Sequence, residues 1–216
     1  LSAHVDRMPA PDAARMRWLL AFGQATGLRA AELLNAKRGD FFRRDGAHWL
    51  LVHGKGARNR RVMVPSSAVT ATRDYFDARG LSFDLAHPHT PLLAVLHAPA
   101  LPGTDAPDPM QALPELTEAF RHSRGYLSYS TAYKSFTRFA RSAIEASDLP
   151  VQARLSALHA SLHWLRHTHA TRAAEANAPA DVLQAQLGHA DPRTTARYFR
   201  AQDKRRQAEL ERVFGT

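Results

Sequence analysis

Apolar residues recur at helical spacing from Pro11 to about Ala25, with Met16, Leu19, Leu20 and Phe22 on one face. Pro11-Asp12 supplies a start signal, and "TGLR" breaks the pattern at Gly27. "AAELLNA" restarts it as a short helix. The period then falls to two. "DFFRR", Asp45-Gly46, "HWLLVH", "GKGARN" and "RRVMVP" predict three short strands joined by two turns. "SSAVTATRDYFDARG" predicts a helix capped by Ser66 or Ser67 and stopped by Gly80.

From about Leu81 to Gly125 periodicity weakens. Pro88, Pro91, Pro99, Pro102, Pro107, Pro109 and Pro114 punctuate an irregular connection, with a short helix expected near Glu115 to His122. "STAYKSFTRFARSAIEAS" is helical again through Tyr133, Phe136, Phe139 and Ile144. In the last third, one helix contains "HWLRHTHATRAAEA". Pro179 opens the next, "DVLQAQL", and Gly188 ends it. Asp191-Pro192 then caps a separate short helix carrying Tyr198, and "DKRRQAELERVF" forms a closing amphipathic helix. The expected fold is mainly α, with a small three-stranded antiparallel β-sheet in the N-terminal part. Neither side of the irregular stretch looks self-sufficient, so residues 1–216 read as one domain.

Composition narrows the function. Lys and Arg number 29 against 20 Asp and Glu, a net charge of +9, and the pI is about 10.6. That balance suits a polyanion. The lysines are Lys37, Lys55, Lys134 and Lys204, so arginine, which binds phosphate bidentately, carries most of the charge. Genome base composition is the competing explanation for an Arg- and Ala-rich chain. The chain has no cysteine, so disulfides and thiolate chemistry are excluded. It shows no apolar run of membrane-spanning length and no signal-peptide pattern, so a cytoplasmic, nucleoid-associated, bacterial or phage-encoded protein is expected.

Four stretches carry candidate chemistry. In "HWLRHTHAT", His163 and Arg166 are three apart and share a helix face, where they form a donor cluster for a phosphate or simply a solvated basic face. His159, His163 and His167 repeat every four residues, a spacing that chelates zinc on a helix. The stretch has no HExxH glutamate, however, and Arg166 would repel a cation, so no metal and no cofactor are expected. "TGLRAAEL" sets Arg29 where a helix begins, with Glu32 able to hold it or to cap the helix. "GKGARNRR" is a basic turn with Lys55 near its tip and Arg58, Arg60 and Arg61 beside it, suited to tracking a DNA backbone. It lacks GxxxxGK[ST], so it is not a P-loop.

The order of these pieces is more specific than any one of them. "TGLRAAEL", a lysine in a β-turn, "HWLRHTHAT", "LGH" and a tyrosine nine residues later resemble the tyrosine recombinase (phage integrase) family, from about Arg15 to Phe199. The resemblance implies the catalytic domain of such an enzyme. Arg29 and Arg166 then correspond to the arginines that grip the scissile phosphate, His163 and His189 to their companion histidines, Lys55 to the β-turn lysine, Tyr198 to the nucleophile and Glu32 to the acidic support. Arg58, Arg60 and Arg61 are expected on DNA. The family usually has an amino-terminal core-binding domain, so the chain is expected to be a fragment without it, and residues about 81–125 look longer than in minimal members. Double-stranded DNA is the implied partner. A homotetramer on DNA is the implied assembly, with a monomer in isolation as the alternative.

The implied reaction is site-specific strand exchange through a 3′-phosphotyrosyl bond and a free 5′-hydroxyl, without metal or ATP. The alternatives are a type IB topoisomerase-like or hairpin-forming resolvase activity, a non-catalytic DNA-binding module built on "ANAPADVLQAQLG", and a zinc-dependent hydrolase using the spaced histidines.

Overall fold

The computed structural model describes residues 2–54, 59–94 and 125–215. A four-residue helix α1 (Ser2–Val5) leads into α2 (Ala10–Thr26). Helix α2 is the centre of the fold because it is apolar on more than one side. Trp18 is buried beside the expected Met16, Leu19, Leu20 and Phe22. The Trp18 ring stacks between Phe22, at 4.8 Å, and Tyr75, at 5.4 Å. Its indole N–H donates to Thr72 Oγ1 at 3.0 Å, which satisfies the polar atom in the core. Gly27 stops α2 in the left-handed region, with φ 65°.

A short α3 (Ala30–Asn35) and a 3₁₀ turn (Arg38–Asp40) lead into an antiparallel sheet in the order β1 (Phe41–Arg44), β2 (Ala47–His53), β3 (Asn59–Val64). Asp45 and Gly46 both have positive φ, as a tight hairpin turn requires. Trp49 pairs with Phe42 on one side and Met63 on the other. Pleating puts Leu50 and Val52 of β2, and Val62 and Val64 of β3, into the core. Helix α4 (Ser66–Asp77) packs across α2. Pro65 occupies its N-cap with no side-chain cap, so neither Ser66 nor Ser67 caps it; the fixed φ of proline starts the helix instead. The helix ends at Asp77, three residues before Gly80.

Part of the irregular connection is core rather than loop. Leu92, Leu93 and Ala94 are buried, and Pro91 bridges to Lys37. The Tyr75 hydroxyl donates to Ala94 O at 3.0 Å. The helix expected near Glu115 to His122 lies outside the described residues.

Helix α5 (Tyr129–Glu145) is capped by Ser128 and buries Phe136, Phe139 and Ile144; Tyr133 is 41% exposed, off the apolar face that the spacing assigned to it. Helix α6 (Val151–Ala157) is an element the periodicity did not predict. Helices α7 (Leu162–Glu175), α8 (Ala180–Leu187) and α9 (Pro192–Phe214) follow. Pro179 is the N-cap of α8 rather than its first residue. The separate helix expected for Tyr198 is instead the start of one continuous α9. No glycine or further proline interrupts Arg193–Phe214, and its Ala, Arg, Lys, Gln and Glu are strong helix formers.

The buried apolar residues form a large cluster around α2, the sheet, α4 and α5, and a small one of Ala170, Ala174, Leu183, Leu187 and Tyr198. Helix α7 joins them. Leu162 and Leu165 enter the large cluster, and Ala170 and Ala174 enter the small one.

Candidate active site

Arg166 sits on the buried face of α7, only 3% exposed. Burying a guanidinium is costly unless its N–H groups are satisfied. Here Nη1 donates to Gly27 O and Nη2 to Leu187 O, both at 2.8 Å. These carbonyls lie at the C-terminal ends of α2 and α8, where the backbone is partially negative. Two helix ends thus fix one arginine. Burial, then the nearby Arg29 charge, lowers the Arg166 pKa to about 10, so the group stays cationic at neutral pH.

Arg29 stands at the N-cap of α3 and uses the same construction. Its Nη2 donates to Gly188 O at 3.1 Å, and Nη1 to Glu32 Oε1 at 3.0 Å. Its side chain is 46% exposed, so it faces both the clamp and solvent. Glu32 also accepts the Arg29 backbone N–H at 2.7 Å. Arg60 completes the cluster with a fork onto Glu32, Nη1 to Oε1 at 2.6 Å and Nη2 to Oε2 at 2.9 Å. Burial tends to raise the Glu32 pKa, but the hydrogen bonds and charge of Arg60 and the bonds from Arg29 outweigh it, leaving the carboxyl at about 2. Two guanidinium groups therefore bracket one carboxylate that is ionised at neutral pH.

The glycine between α8 and His189 makes this approach possible. Gly188 has φ 65°, and a Cβ there would lie 2.5 Å from Arg60 Cδ. Only glycine fits both the turn and the arginine beside it.

His163 lies on α7 one turn before Arg166, exposed to solvent. Its pKa is lowered by burial of part of the ring and then by Arg166, Arg197, His167 and Arg29. His189 follows Gly188, with Nδ1 2.8 Å from Thr195 Oγ1. Burial, followed by Arg166, Arg29, Arg197 and Arg60, takes the His189 pKa down to about 4, so the ring is neutral at pH 7. Tyr198 is 8% exposed and packs in the small cluster. The His167 ring lies 5.4 Å from its ring, and Arg197 Nη2 donates to its hydroxyl at 3.1 Å.

Arg29 and Glu32 of α3, His163 and Arg166 of α7, His189 in the turn before α9 and Tyr198 of α9 thus share one electrostatic neighbourhood. Lys55 and Arg58 lie outside the described residues. Arg61 is exposed on β3. Arg60, expected on DNA, has both terminal nitrogens on Glu32 and a side chain only 15% exposed. Alternation explains the difference: Arg60 points with Val62 and Val64 into the protein, and Arg61 points out. His159 precedes α7, so it is not in helical register with His163 and His167. No group of three potential metal ligands occurs among the described residues.

The residue motifs assigned Arg60 to DNA rather than to Glu32, raised His167 only as a metal ligand, and did not single out Thr195 or Arg197. A signal existed for Arg60, which shares period two with Val62 and Val64. Thr195 lies inside "LGHxDxxTTxxY" and is 2% exposed.

Residues 1–205 match the phage integrase family model. The chain is 31% identical over 193 residues to tyrosine recombinase XerD of Brucella abortus, covering 89% of this chain and 50% of that protein. It is 30% identical over 184 residues to tyrosine recombinase XerC of Pelobacter propionicus, covering 85% and 47%. The chain therefore spans about half the length of these relatives. The fold is similar to that of XerH site-specific recombinase bound to palindromic difH in a post-cleavage complex. The TM-score is 0.64 and the identity 22%, covering 100% of this chain and 50% of that one. XerA recombinase gives a TM-score of 0.58 at 20% identity, covering 99% and 62%.

Proposed function

Since the chain belongs to the phage integrase family, we propose that it is the catalytic domain of a site-specific DNA recombinase in which Tyr198 is the nucleophile. The carrying observation is the buried Tyr198 side chain in the electrostatic reach of the clamped Arg166, with its hydroxyl on Arg197. The substrate is double-stranded DNA, a polyanion suited to the +9 charge.

Tyr198 Oη attacks phosphorus, a P–O bond forms, and the P–O5′ bond breaks. The products are a 3′-phosphotyrosyl bond and a free 5′-hydroxyl. The charge that develops on the non-bridging oxygens is met by Arg29 and Arg166. Because their other N–H groups are fixed on carbonyls and on Glu32, they need no reorganisation, the condition under which electrostatic stabilisation is largest. His189 adds a neutral donor at Nε2 if the Thr195 hydroxyl donates to Nδ1. His163, with its pKa lowered, takes the phenol proton. Lys55 protonates the leaving 5′-oxygen. Glu32 and Arg60 hold Arg29 in place. Arg61 and Arg58 meet the DNA backbone.

The phosphodiester energy is kept in the covalent bond, so religation by an exchanged 5′-hydroxyl needs no ATP. The reading has a direct test. A nicked suicide duplex carrying the attachment site traps the protein as an SDS-resistant adduct in EDTA. Tyr198→Phe is expected to abolish the adduct, and an adduct from that variant removes the assignment. Relaxation of supercoiled plasmid without strand exchange would transfer the activity to the topoisomerase class.

The homotetramer belongs to the same reading. The end of α9 exposes Leu210, Val213 and Phe214. A groove lined by Trp49, Met63, Ala173, Val182 and Leu183 is mostly apolar. We propose a second copy's C-terminal turns as its occupant. Sedimentation on DNA should show the assembly lost in Phe214→Asp and retained in Phe214→Leu.

A further inference from the structure

We propose that Arg197 is an additional catalytic residue, whose guanidinium stabilises the Tyr198 oxygen as a phenolate both in attack and as the leaving group in religation. This rests on the assignment of Tyr198 as nucleophile. Neighbours at i and i+1 on a helix do not ordinarily face each other. Here the Arg197 side chain nevertheless reaches the adjacent tyrosine. Its Nη2 lies 3.1 Å from Tyr198 Oη, and its Cζ lies 5.1 Å from the Tyr198 ring centroid. The contact is therefore made to the reacting oxygen itself. Arg29 and Arg166 are fixed elsewhere, on backbone carbonyls and Glu32.

The proton positions follow from the donor count. A guanidinium only donates, so Arg197 occupies a lone pair of Oη. The phenol keeps its own proton free to pass to a base. As that proton leaves, the neutral hydrogen bond becomes a charge-assisted one. In cleavage the Oη–P bond forms and the P–O5′ bond breaks. In religation the 5′-hydroxyl returns its proton to the acid that supplied it and attacks phosphorus. The P–Oη bond breaks, and the electron pair returns to Oη beside Arg197; Oη then recovers a proton from His163. Arg197 stays protonated in both directions. Its charge also reaches the rest of the site: after burial and Arg166, it is among the groups that keep His163 deprotonated.

Arg197 is exposed, so its loss leaves the fold intact. The test uses the full chain and the nicked suicide duplex, with single-turnover cleavage and then religation by an added 5′-hydroxyl strand. Arg197→Gln is expected to slow both steps about tenfold. Arg197→Lys, which keeps the charge and loses the fork, should recover part of that loss. The discriminating arm replaces Tyr198 by trifluorotyrosine, whose phenolate needs less stabilisation. In that background the Arg197→Gln deficit should shrink toward twofold. An equal deficit with both tyrosines would mean that Arg197 only supports the helix. Faster cleavage by Arg197→Gln would mean that it caps the nucleophile. Either result overturns the proposal. If the unaltered protein forms no adduct, the recombinase reading itself fails first.

Discussion

Replacing Glu32 by glutamine should destabilise the protein by about 2 kcal/mol and erase a specific part of its acid sensitivity. Glu32 has an 8% exposed side chain and receives the Arg60 fork, the Arg29 guanidinium and the Arg29 backbone N–H. Its pKa falls from 4.5 to about 2. Taken at full strength, that difference is worth about 3 kcal/mol by linkage. Arg29 stands half in solvent, and screening brings the figure to about 2 kcal/mol. Because the folded value lies below the unfolded one, this stability is fully present above about pH 4.5 and is lost as pH falls toward 2. Urea unfolding at closely spaced pH values measures it. At pH 7, Glu32→Gln should lower Tm by about 4–8 °C for a domain of this size. Its stability should also fall less steeply between pH 5 and 2 than that of the unaltered chain. Glutamine stays neutral while Arg29, Arg60 and Arg166 remain charged, so adduct formation should drop as Arg29 leaves its position. An unchanged acid slope in Glu32→Gln would refute the reasoning, because the carboxylate would then not be the group titrating.

Further outcomes follow from the same clamp. Gly188→Ala should cost more than 1 kcal/mol, because it combines a positive φ with a Cβ 2.5 Å from Arg60 Cδ; thermal melts and adduct yield should fall together. His189, lowered to about 4, is neutral in the folded state and protonates more readily unfolded. Its contribution is complete above about pH 6.5 and declines as pH falls toward 4, so His189→Asn should flatten the stability curve in that window. Arg166→Lys keeps the charge but has no fork to span Gly27 O and Leu187 O. Cleavage should fall by about 10²–10³, and a variant within a factor of three of the unaltered rate would contradict the clamp. Leu187→Ala opens a hole in the small cluster and should cost about 2–5 kcal/mol in chemical unfolding.

The parts of the fold with a strong local code were legible in the sequence. Gly27, Gly188 and Asp191-Pro192 mark helix boundaries because left-handed caps and proline at the first turn admit few residues. The Asp45-Gly46 hairpin and its strands follow from turn chemistry and period two. Tertiary context decided the rest. Leu92 and Leu93 are core residues inside a proline-punctuated stretch, fixed by backbone bonds from Leu92 to Ala36 and from Arg38 to Thr90 that no local pattern announces. Arg60 resembled its neighbour Arg61 in composition but differs in the face it occupies. Arg197 was hidden because sequence spacing argues against contact between adjacent helical residues. The motif residues Arg29, Glu32, His163, Arg166, His189 and Tyr198 do gather in one place, but on the terms of backbone carbonyls that the motifs do not encode.

The continuity of α9 makes the proposed nucleophile and the apolar side chains of its last turns two ends of one rod. At 1.5 Å per residue, Tyr198 and Phe214 are about 24 Å apart along it. Near Tyr198 the rod is held by the small cluster and by the His167 ring against the Tyr198 ring; at Phe214 it stands in solvent. The rod is thus anchored at its Tyr198 end and exposed at its far end. In the proposed reaction a misplacement of the Tyr198 oxygen by about 1 Å would slow attack, so a partner gripping the far end of the rod bears on the chemistry at its other end.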